Sequence, residues 1–292
     1  MVPPTARAEN PRVGSSILPL ATRKSRAPTR STMGQITKRW RTNFFAKSLA
    51  RMCRQYLKWY NNPGFKFHRN GEQWLLEQFR QEPVHTIFDV GANVGAWATL
   101  AATTLPGATV YAFEIVPATF DRLRQATQGR QAIRCFNVGL GDHVGMLSIR
   151  YNPAASDHAT FTDYPWPGDN TTVEGRVVTG DSFLKQHAIE SIDLLKIDVE
   201  GAEHLVLQGL GQAFADRRVR LAYFEYGRYN VMTKFLLKDF YEFFGRYGYI
   251  VGKLFTDFVD FRDYHPDDED FTGPHYVACR SAEPLLRRLS RA

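Results

Sequence analysis

The regular alternation of short apolar strands with amphipathic helices is the feature that most constrains the fold of this chain. Strand-length apolar runs occur at 85–90, 109–114, 132–140, 192–199 and 219–226. Strand-like segments at 146–151 and 176–179 flank a polar loop at 152–172, and strands at 249–255 and 275–280 end the pattern. This alternation predicts an α/β fold with a mainly parallel, Rossmann-like sheet covered on both faces. No helix separates the last two strands, so we expect an antiparallel hairpin there.

Charge is distributed unevenly along the chain. Residues 1–60 contain 13 Lys and Arg and one acid, a net charge of +12, whereas the remaining 232 residues carry a net charge of −5. A domain built to hold nucleic acid would carry a basic face on its folded part, so this distribution argues against that function. We predict a disordered basic arm at 1–32, a helical N-terminal extension at 33–80 and a main domain at 81–292. The arm is equally compatible with a targeting segment, or with a true start at Met33.

A helical period covers residues 35–60 and separates an apolar stripe from a basic one. The apolar stripe consists of Phe45, Leu49, Met52, Tyr56 and Trp59. The basic stripe consists of Lys47, Arg51, Arg54 and Lys58. Such a helix can lie on an anionic membrane surface. We favour the other interpretation, in which the apolar stripe packs on the main domain and the basic side faces water.

Cysteine usage and hydropathy indicate a cytoplasmic protein. The three cysteines, Cys53, Cys135 and Cys279, are widely spaced and form no metal-binding or redox pair, so we expect reduced thiols. The chain has no uninterrupted apolar run of about 18 residues, which argues against a membrane-spanning helix. Its first residues also lack the apolar segment of a secretory signal.

The turn after the first strand, FDVGANVG at 88–95, discriminates between two classes of cofactor. A dinucleotide site uses G-x-G-x-x-G, because the pyrophosphate must approach bare backbone at a helix N-terminus. Here Asn93 replaces the middle glycine between Gly91 and Gly95, and Asp89 precedes the turn. A carboxylate repels a pyrophosphate but attracts a sulfonium cation and an amino group. The turn therefore favours a cationic cofactor over NAD.

Acidic residues also follow the next two strands. Glu114 ends the second strand, 25 residues after Asp89, where a carboxylate can accept hydrogen bonds from a ribose diol. NAD enzymes share this feature, so Glu114 supports the assignment only together with Asp89. The turn NVGLGD at 137–142 follows the third strand, and its small residues would let an adenine ring lie against the backbone. A tight turn stabilised by glycine and Asp142 explains the same residues equally well.

The fourth strand of the parallel set carries the segment IDLLKIDVEGAE at 192–203. Ligands of open α/β sheets bind beyond the carboxyl ends of the strands. Asp198 and Glu200 stand at that end, beside the turn of the first strand, and we interpret Asp198 as functional. Glu200 and Glu203 could instead complement the N-terminus of the following helix, which suffices to explain Glu203.

The segments FDVGANVG, VYAFEIVPATFDRL, NVGLGD and IDLLKIDVEGAE, in this order and at these spacings, resemble the FkbM family of S-adenosylmethionine-dependent methyltransferases. The resemblance covers roughly residues 65–280. It implies a seven-stranded class I methyltransferase sheet, S-adenosylmethionine as cofactor, and O-methylation of a hydroxyl on a sugar, glycolipid or other natural product. It implies a cofactor site at Asp89, Gly91, Asn93, Gly95, Glu114 and Asp142. Asp198 and Glu200 would then line the methyl-transfer centre.

Methyl transfer to an alcohol needs a nearby base, because an alcohol is a poor nucleophile at neutral pH. Candidates are Asp198, Glu200 and Glu225 at strand ends, and His204 on the following helix. His158 and His275 lie in or next to the expected substrate loops. We favour Asp198 or Glu200. With Glu225 these carboxylates could instead hold a divalent metal, although we assign no metal to the site. The segment after the fourth strand lacks the Asn/Asp-Pro-Pro-aromatic motif of amino-methylating enzymes, and no cysteine lies near it for attack on cytosine. Oxygen is therefore the favoured methyl acceptor.

Two other functions stay open at this point. One is an NAD-linked oxidoreductase, against which Asp89 and the missing glycine argue. The other is a protein that binds a membrane or nucleic acid through its basic arm. The partners we expect are a small-molecule or glycan acceptor and, through residues 35–60, peripheral contact with an anionic membrane; nucleic acid is not expected.

Overall fold

The computed structural model describes residues 43–61, 66–153, 155–165, 168–271 and 275–290. The arm predicted at 1–32 and the first part of the helix predicted at 35–60 lie outside these residues. The helices are α1 (Phe44–Tyr60), α2 (Phe67–Asn70), α3 (Glu72–Gln78), α4 (Ala96–Thr104), α5 (Pro117–Ala126), α6 (Gly180–Gln186), α7 (Glu203–Gly209), α8 (Gly211–Ala215), α9 (Asn230–Thr233), α10 (Leu237–Arg246) and α11 (Leu285–Leu289). The strands are β1 (Thr86–Val90), β2 (Thr109–Phe113), β3 (Ile133–Phe136), β4 (Gly139–Gly141), β5 (Gly145–Asn152), β6 (Ala155–Thr160), β7 (Thr171–Thr179), β8 (Ile192–Ile197), β9 (Val219–Glu225), β10 (Tyr249–Leu254), β11 (Val259–Phe261) and β12 (His275–Arg280).

The main sheet follows the order β11-β10-β12-β9-β8-β1-β2-β3 over the described residues. Strands β3, β2, β1, β8 and β9 run parallel to one another. Strand β12 lies between β9 and β10 and is antiparallel to both. The predicted α/β sheet with an antiparallel C-terminal strand pair is thereby confirmed. The short strand β11, antiparallel to β10 at the sheet edge, adds an eighth strand to the seven that were predicted.

Strand order reverses at β1, which lies between β8 and β2. From β1 the chain proceeds to β2 and β3 on one side, and β8 and β9 extend the sheet on the other. Such a switch point leaves a crevice beyond the carboxyl ends of the strands, where no connection crosses. The four acid-bearing strand ends of β1, β2, β8 and β9 meet at this crevice.

Both faces of the sheet are buried, because successive strand residues point to opposite sides. One face carries the cluster that includes Phe88, Leu195 and Phe224. The other face packs Ile87, Leu194 and Leu221 against helices that include α3 and α4. Burial on both faces explains why the parallel strands are almost continuously apolar in sequence.

A second sheet of four strands, in the order β4-β7-β5-β6, follows β3. It corrects two predictions. The segment expected as one strand at 132–140 is split, because β3 pairs with β2 whereas β4 pairs with β7 in the second sheet. The segment 152–172, expected as a loop, contains β6 and the start of β7, and β7 pairs with β5 along its length. In β7 the polar residues Thr171, Thr172 and Glu174 are exposed, and they hid the strand pattern because one face of this strand is turned to water.

Helix α1 carries the apolar stripe predicted from the helical period, but the stripe is not buried. Phe45 is 77% exposed and Trp59 is 80% exposed, and Leu49, Met52 and Tyr56 each expose more than half of their surface. The interpretation that we favoured, burial of this stripe, is therefore wrong. A helical period fixes which side chains align, but it does not say what covers them. No helix in the described ranges is long and apolar enough to cross a membrane.

An ion-pair network far from the carboxyl ends of the strands joins the start and the end of the main domain. Arg220 of β9 pairs with Glu82 at 3.1 Å and with Glu283 at 2.7 Å. Glu283 also accepts from Arg280, and Glu82 from Arg288. Because all partners are at most partly exposed, the network contributes more than a surface pair would.

Candidate active site

A cavity of about 410 Å³ opens at the carboxyl ends of β1, β2, β8 and β9. Predicted site residues in its lining are Gly91, Asn93, Glu114, Asp142, Asp198 and Glu200. Further lining residues include Glu72, Trp97, Lys196, Glu225 and His275. The cavity lies at the switch point of the strand order, where the topology leaves room for a ligand. Two predicted residues, Asp89 and Gly95, lie outside the lining.

The turn between β1 and α4 depends on two glycines with positive φ. Gly91 has φ +82°, and a Cβ atom at this position would lie 1.8 Å from the carbonyl oxygen of Asp198. Gly95 also has φ +82°, and a Cβ there would strike the side chain of Leu123 at 2.6 Å. Gly91 therefore permits the close approach of two strand ends beside the cavity, whereas Gly95 permits packing of α4 on α5.

Asp89 is fully buried beneath the cavity rather than exposed to it. Lys196 stands beside it on β8, in register, with Nζ 3.1 Å from Asp89 Oδ1 and 3.2 Å from Asp198 Oδ2. Burial raises the pKa of Asp89, and the Lys196 ammonium opposes that rise. Burial lowers the pKa of Lys196, but the carboxylates of Asp198 and Asp89 outweigh burial and raise it. Lys196 is therefore a cation that links Asp89 to the cavity.

Glu114 is held at the end of β2 by two backbone donors. Its Oε2 accepts from the amide of Asn93 at 3.0 Å, and its Oε1 accepts from the amide of Val116 at 2.8 Å. Burial raises the pKa of Glu114 to about 7, although these hydrogen bonds act in the opposite direction. The orientation of the carboxylate is thus fixed, and its ionisation falls within the physiological pH range.

Asp142 follows β4 and lines the same cavity as Glu114. Its Oδ1 lies 2.7 Å from Nδ1 of His143, and both side chains are partly exposed. Gly141, immediately before it, lies against α7, where a Cβ on Gly209 would meet the Gly141 carbonyl oxygen at 1.9 Å. The turn is therefore tightly packed, as well as part of the cavity wall.

Three carboxyl groups converge where β8 and β9 end. Asp198, Glu200 and Glu225 offer oxygens that all lie within 4.8 Å of one another. Burial raises the pKa of Glu225, and the neighbouring Asp198 and Glu200 raise it further. Burial would also raise the pKa of Asp198, but Lys196 and a hydrogen bond from Glu225 lower it. Within this pair the proton therefore resides preferentially on Glu225 rather than on Asp198.

The turn that presents Glu200 to the cavity has an unusual backbone. Glu200 has φ +53° and Gly201 has φ +104°. The hydroxyl of Thr160 donates to the Glu200 carbonyl at 2.7 Å, and Glu203 accepts from the amides of Val199 and Gly201. Glu203 thus holds the N-terminus of α7, as the sequence suggested. Left-handed backbone at a non-glycine residue is costly, and such strain is concentrated at functional sites.

Sequence reasoning named His275 only as a candidate base and did not predict the buried polar group that it forms with Tyr223, Asn70 and Glu72. His275 of β12 lies opposite Glu225 in register. His275 Nδ1 lies 2.6 Å from the hydroxyl of Tyr223, and Nε2 lies 3.1 Å from Asn70 Nδ2 and 3.6 Å from Glu72 Oε1. The available signal was the polar motif NGE at 70–72 ahead of the first strand. Only the tertiary fold brings this motif to the last strand.

Comparison of the sequence with known proteins identifies the family to which the chain belongs. The family model described as "Methyltransferase FkbM domain" matches residues 89–251, more than half of the chain. The hexuronic acid methyltransferase AglP of Haloferax volcanii is 31% identical over 142 residues, which are 48% of this chain and 54% of that protein. The 31-O-demethyl-FK506 methyltransferase FkbM of Streptomyces tacrolimicus is 31% identical over 168 residues, 48% of this chain and 65% of that protein. The 2-O-methyltransferase NoeI of Sinorhizobium fredii is 24% identical, over 61% of this chain and 77% of its own. The matches thus span between about half and two thirds of the first two relatives.

Proposed function

The chain belongs to the methyltransferase FkbM domain family, and on that premise we propose that it transfers the methyl group of S-adenosylmethionine to a hydroxyl oxygen of a small-molecule or glycan acceptor. The observation that carries this proposal is the convergence of Glu114, Asp142, Asp198 and Glu200 on one cavity at the switch point of the sheet. The names of two relatives, a 31-O-demethyl-FK506 methyltransferase and a 2-O-methyltransferase, support oxygen as the acceptor atom. The name hexuronic acid methyltransferase supports sugar acids among the acceptors to test first.

The residues around the cavity fit S-adenosylmethionine. A cavity rich in carboxyl groups stabilises a sulfonium cation and an ammonium group. Glu114, oriented by two amides, is suited to accept hydrogen bonds from a ribose diol. Gly91 brings bare backbone to the cavity wall, and Asn93 and Asp142 line the same wall. When bound, the cofactor supplies an activated methyl group, so the protein needs only to align the acceptor oxygen and remove its proton.

Asp198 is the base that we propose for this proton. It is ionised at neutral pH, it lines the cavity, and its pKa is lowered by Lys196 after allowance for burial. Lys196 holds the carboxylate through Oδ2 at 3.2 Å, and Glu225 supplies a hydrogen bond to the same group. Glu200, on its strained turn, also lines the cavity and would orient the acceptor hydroxyl.

Calorimetry against S-adenosylmethionine, S-adenosylhomocysteine and NAD is the first test. We expect micromolar binding of the first two ligands and none of NAD, since carboxyl groups around the turn disfavour a pyrophosphate. A methyl-transfer screen with radiolabelled cofactor should then include hexuronic acids, neutral sugars and lipid-linked glycans. Binding of NAD alone would refute the proposal. Transfer to an amine but to no alcohol would refute the oxygen assignment.

We propose that the carboxyl cluster works without a divalent metal. Asp198, Glu200 and Glu225 lie close enough to hold one cation, but the Lys196 ammonium, 3.2 Å from Asp198 Oδ2, already offsets part of their charge. Treatment with EDTA should therefore leave turnover unchanged. A loss of activity that Mg²⁺ or Mn²⁺ restores would show that a metal belongs to the site.

We also propose that the protein is cytoplasmic and that α1 contacts anionic membranes through its exposed face. The support is a run of exposed apolar side chains, including Phe45, Met52 and Trp59, next to Arg51 and Arg54 on the same helix. In a flotation gradient, the full chain should rise with vesicles of phosphatidylcholine and phosphatidylglycerol and be recovered in the vesicle fraction. A variant with Met52→Glu and Trp59→Glu should stay at the bottom of the gradient. Equal recovery of both proteins, or recovery on neutral vesicles alone, would contradict this contact.

A further inference from the structure

Two buried polar atoms in the cavity wall have no hydrogen-bond partner among the described residues. One is the indole nitrogen Nε1 of Trp97, and the other is Oε2 of Glu72. Both side chains line the cavity, and Trp97 is only 4% exposed and Glu72 only 5% exposed. Nearly all buried polar atoms of native proteins have a hydrogen-bond partner, and a buried atom without one is destabilising. These two atoms therefore call for a partner that the described residues do not supply.

Trp97 supplies a donor. It lies on the first turn of α4, directly after the glycine turn. The ammonium of Lys196 stands over the indole ring, 5.7 Å from its centroid. Lys196 is the only Lys or Arg among the described residues that line the cavity. This corner is therefore the one part of an otherwise acidic cavity where positive charge and a free N–H donor occur together.

Glu72 supplies an acceptor. Its Oε1 accepts from Asn70 Nδ2 at 2.5 Å and lies 3.6 Å from His275 Nε2. The carboxylate is thus held on one side, while Oε2 has no partner with hydrogen-bonding geometry. The Tyr223 hydroxyl is nearby, but its close contact is with His275 Nδ1. An oxygen held in this way is ready to accept a hydrogen bond from a cationic donor.

An unpaired donor beside a cation and an unpaired carboxylate oxygen, both in one cavity, are complementary to a zwitterionic α-amino acid. We propose that Trp97 and Glu72 bind the amino-acid end of the cofactor, with Trp97 Nε1–H donating to its carboxylate and Glu72 Oε2 accepting from its ammonium group. This inference rests on the proposed function, because S-adenosylmethionine brings that amino acid to the site. It adds two binding residues that no strand-end motif indicated.

Three ligands separate the two contacts. S-adenosylhomocysteine carries both the carboxylate and the amine, its decarboxylated analogue S-adenosyl-3-thiopropylamine carries the amine alone, and 5′-methylthioadenosine carries neither. Trp97→Phe should weaken S-adenosylhomocysteine about 10- to 100-fold, as expected for a lost hydrogen bond to a charged group, and should leave the other two unchanged. Glu72→Gln should weaken S-adenosylhomocysteine and the amine by a similar factor, and should leave 5′-methylthioadenosine unchanged.

Two further variants serve as matched controls, one at a core tryptophan and one at a glutamate of the Arg220 ion-pair network. Trp74 lies on α3 and packs on the core without lining the cavity, and Glu82 pairs with Arg220 and Arg288. Trp74→Phe and Glu82→Gln should bind all three ligands as the unchanged protein does. The melting temperature of the free protein gives a second readout. Glu72→Gln should lower it less than Glu82→Gln does, because glutamine keeps an oxygen for the hydrogen bond from Asn70, whereas Glu82→Gln removes two ion pairs.

The outcomes separate the inference from the proposed function. If the unchanged protein binds none of the three ligands, both fail. If it binds them and Trp97→Phe weakens 5′-methylthioadenosine as much as S-adenosylhomocysteine, Trp97 only shapes the cavity and the inference alone fails. A fall in melting temperature for Glu72→Gln as large as for Glu82→Gln, without ligand discrimination, would likewise assign Glu72 to folding.

Discussion

Lowering the pH from 8 to 6 should weaken the binding of 5′-methylthioadenosine about tenfold, and Glu114 is the reason. Burial raises the pKa of this carboxyl group to about 7. Only the ionised form offers the charged acceptor that a ribose diol requires, since Asn93 and Val116 already donate to its two oxygens. About one Glu114 in eleven is ionised at pH 6 and about ten in eleven at pH 8. This ratio corresponds to about 1.4 kcal/mol of binding free energy.

The measurement is isothermal calorimetry with 5′-methylthioadenosine at half-unit steps from pH 5.5 to 8.5. This ligand keeps the ribose, and it lacks the amino group that would titrate on its own account. Glu114→Gln should bind more weakly and show no pH dependence over this range. Glu203→Gln is the matched control, because burial also raises the pKa of Glu203 to about 7 while the side chain lies outside the cavity lining. That variant should keep the pH dependence.

Two results would refute this reasoning. An affinity that is constant from pH 6 to pH 8 would mean that the ribose does not depend on ionised Glu114. If Glu203→Gln lost the pH dependence and Glu114→Gln kept it, the titrating group would be Glu203 and not Glu114. Either result would move the predicted ribose site away from the end of β2.

Three further outcomes follow from the same structure. Asp198→Asn should lower kcat about 10²- to 10⁴-fold and change the Kd of S-adenosylhomocysteine less than threefold, and equal losses in both would make Asp198 a binding residue only. Gly91→Ala should abolish cofactor binding by calorimetry, because its Cβ would lie 1.8 Å from the Asp198 carbonyl oxygen, whereas Gly107→Ala, with open space around it, should bind normally. Burial raises the pKa of Glu283, but Arg220 outweighs burial and lowers it below 4.5, so Glu283 stabilises the fold above that pH and less as the pH falls further. Glu283→Gln should therefore lower the melting temperature at pH 7 and flatten its dependence on acid, and an unchanged melting curve would contradict this.

Much of the architecture follows from local pattern. Apolar runs separated by helical periods predicted the parallel strands, because a strand buried on both faces must be apolar at nearly every position. The same pattern failed for β4 and β6. Gly139–Gly141 is short and pairs outside the main sheet, and β6 lies in a polar segment, so neither carries the apolar run that identifies a core strand.

The candidate site was predicted in part for a related reason. Chain order places Asp89, Glu114 and Asp198 at the ends of parallel strands, and the carboxyl ends of such strands meet at one edge of the sheet. The sequence did not indicate in which direction each of these side chains points. Asp89 is buried behind Lys196, whereas Glu114 and Asp198 reach the cavity.

The sequence by itself determined the strands of the parallel set and the acids at their ends, because both depend on periodicity and on position along the chain. Only the tertiary structure decided that Glu72 and His275, more than 200 residues apart, meet beneath those acids, and that Trp97 presents an indole nitrogen without a partner. Such contacts depend on which distant elements pack beside a given strand end in the folded protein. A local sequence period does not show which elements meet there, because the contact arises when α3 packs on the sheet that contains β12.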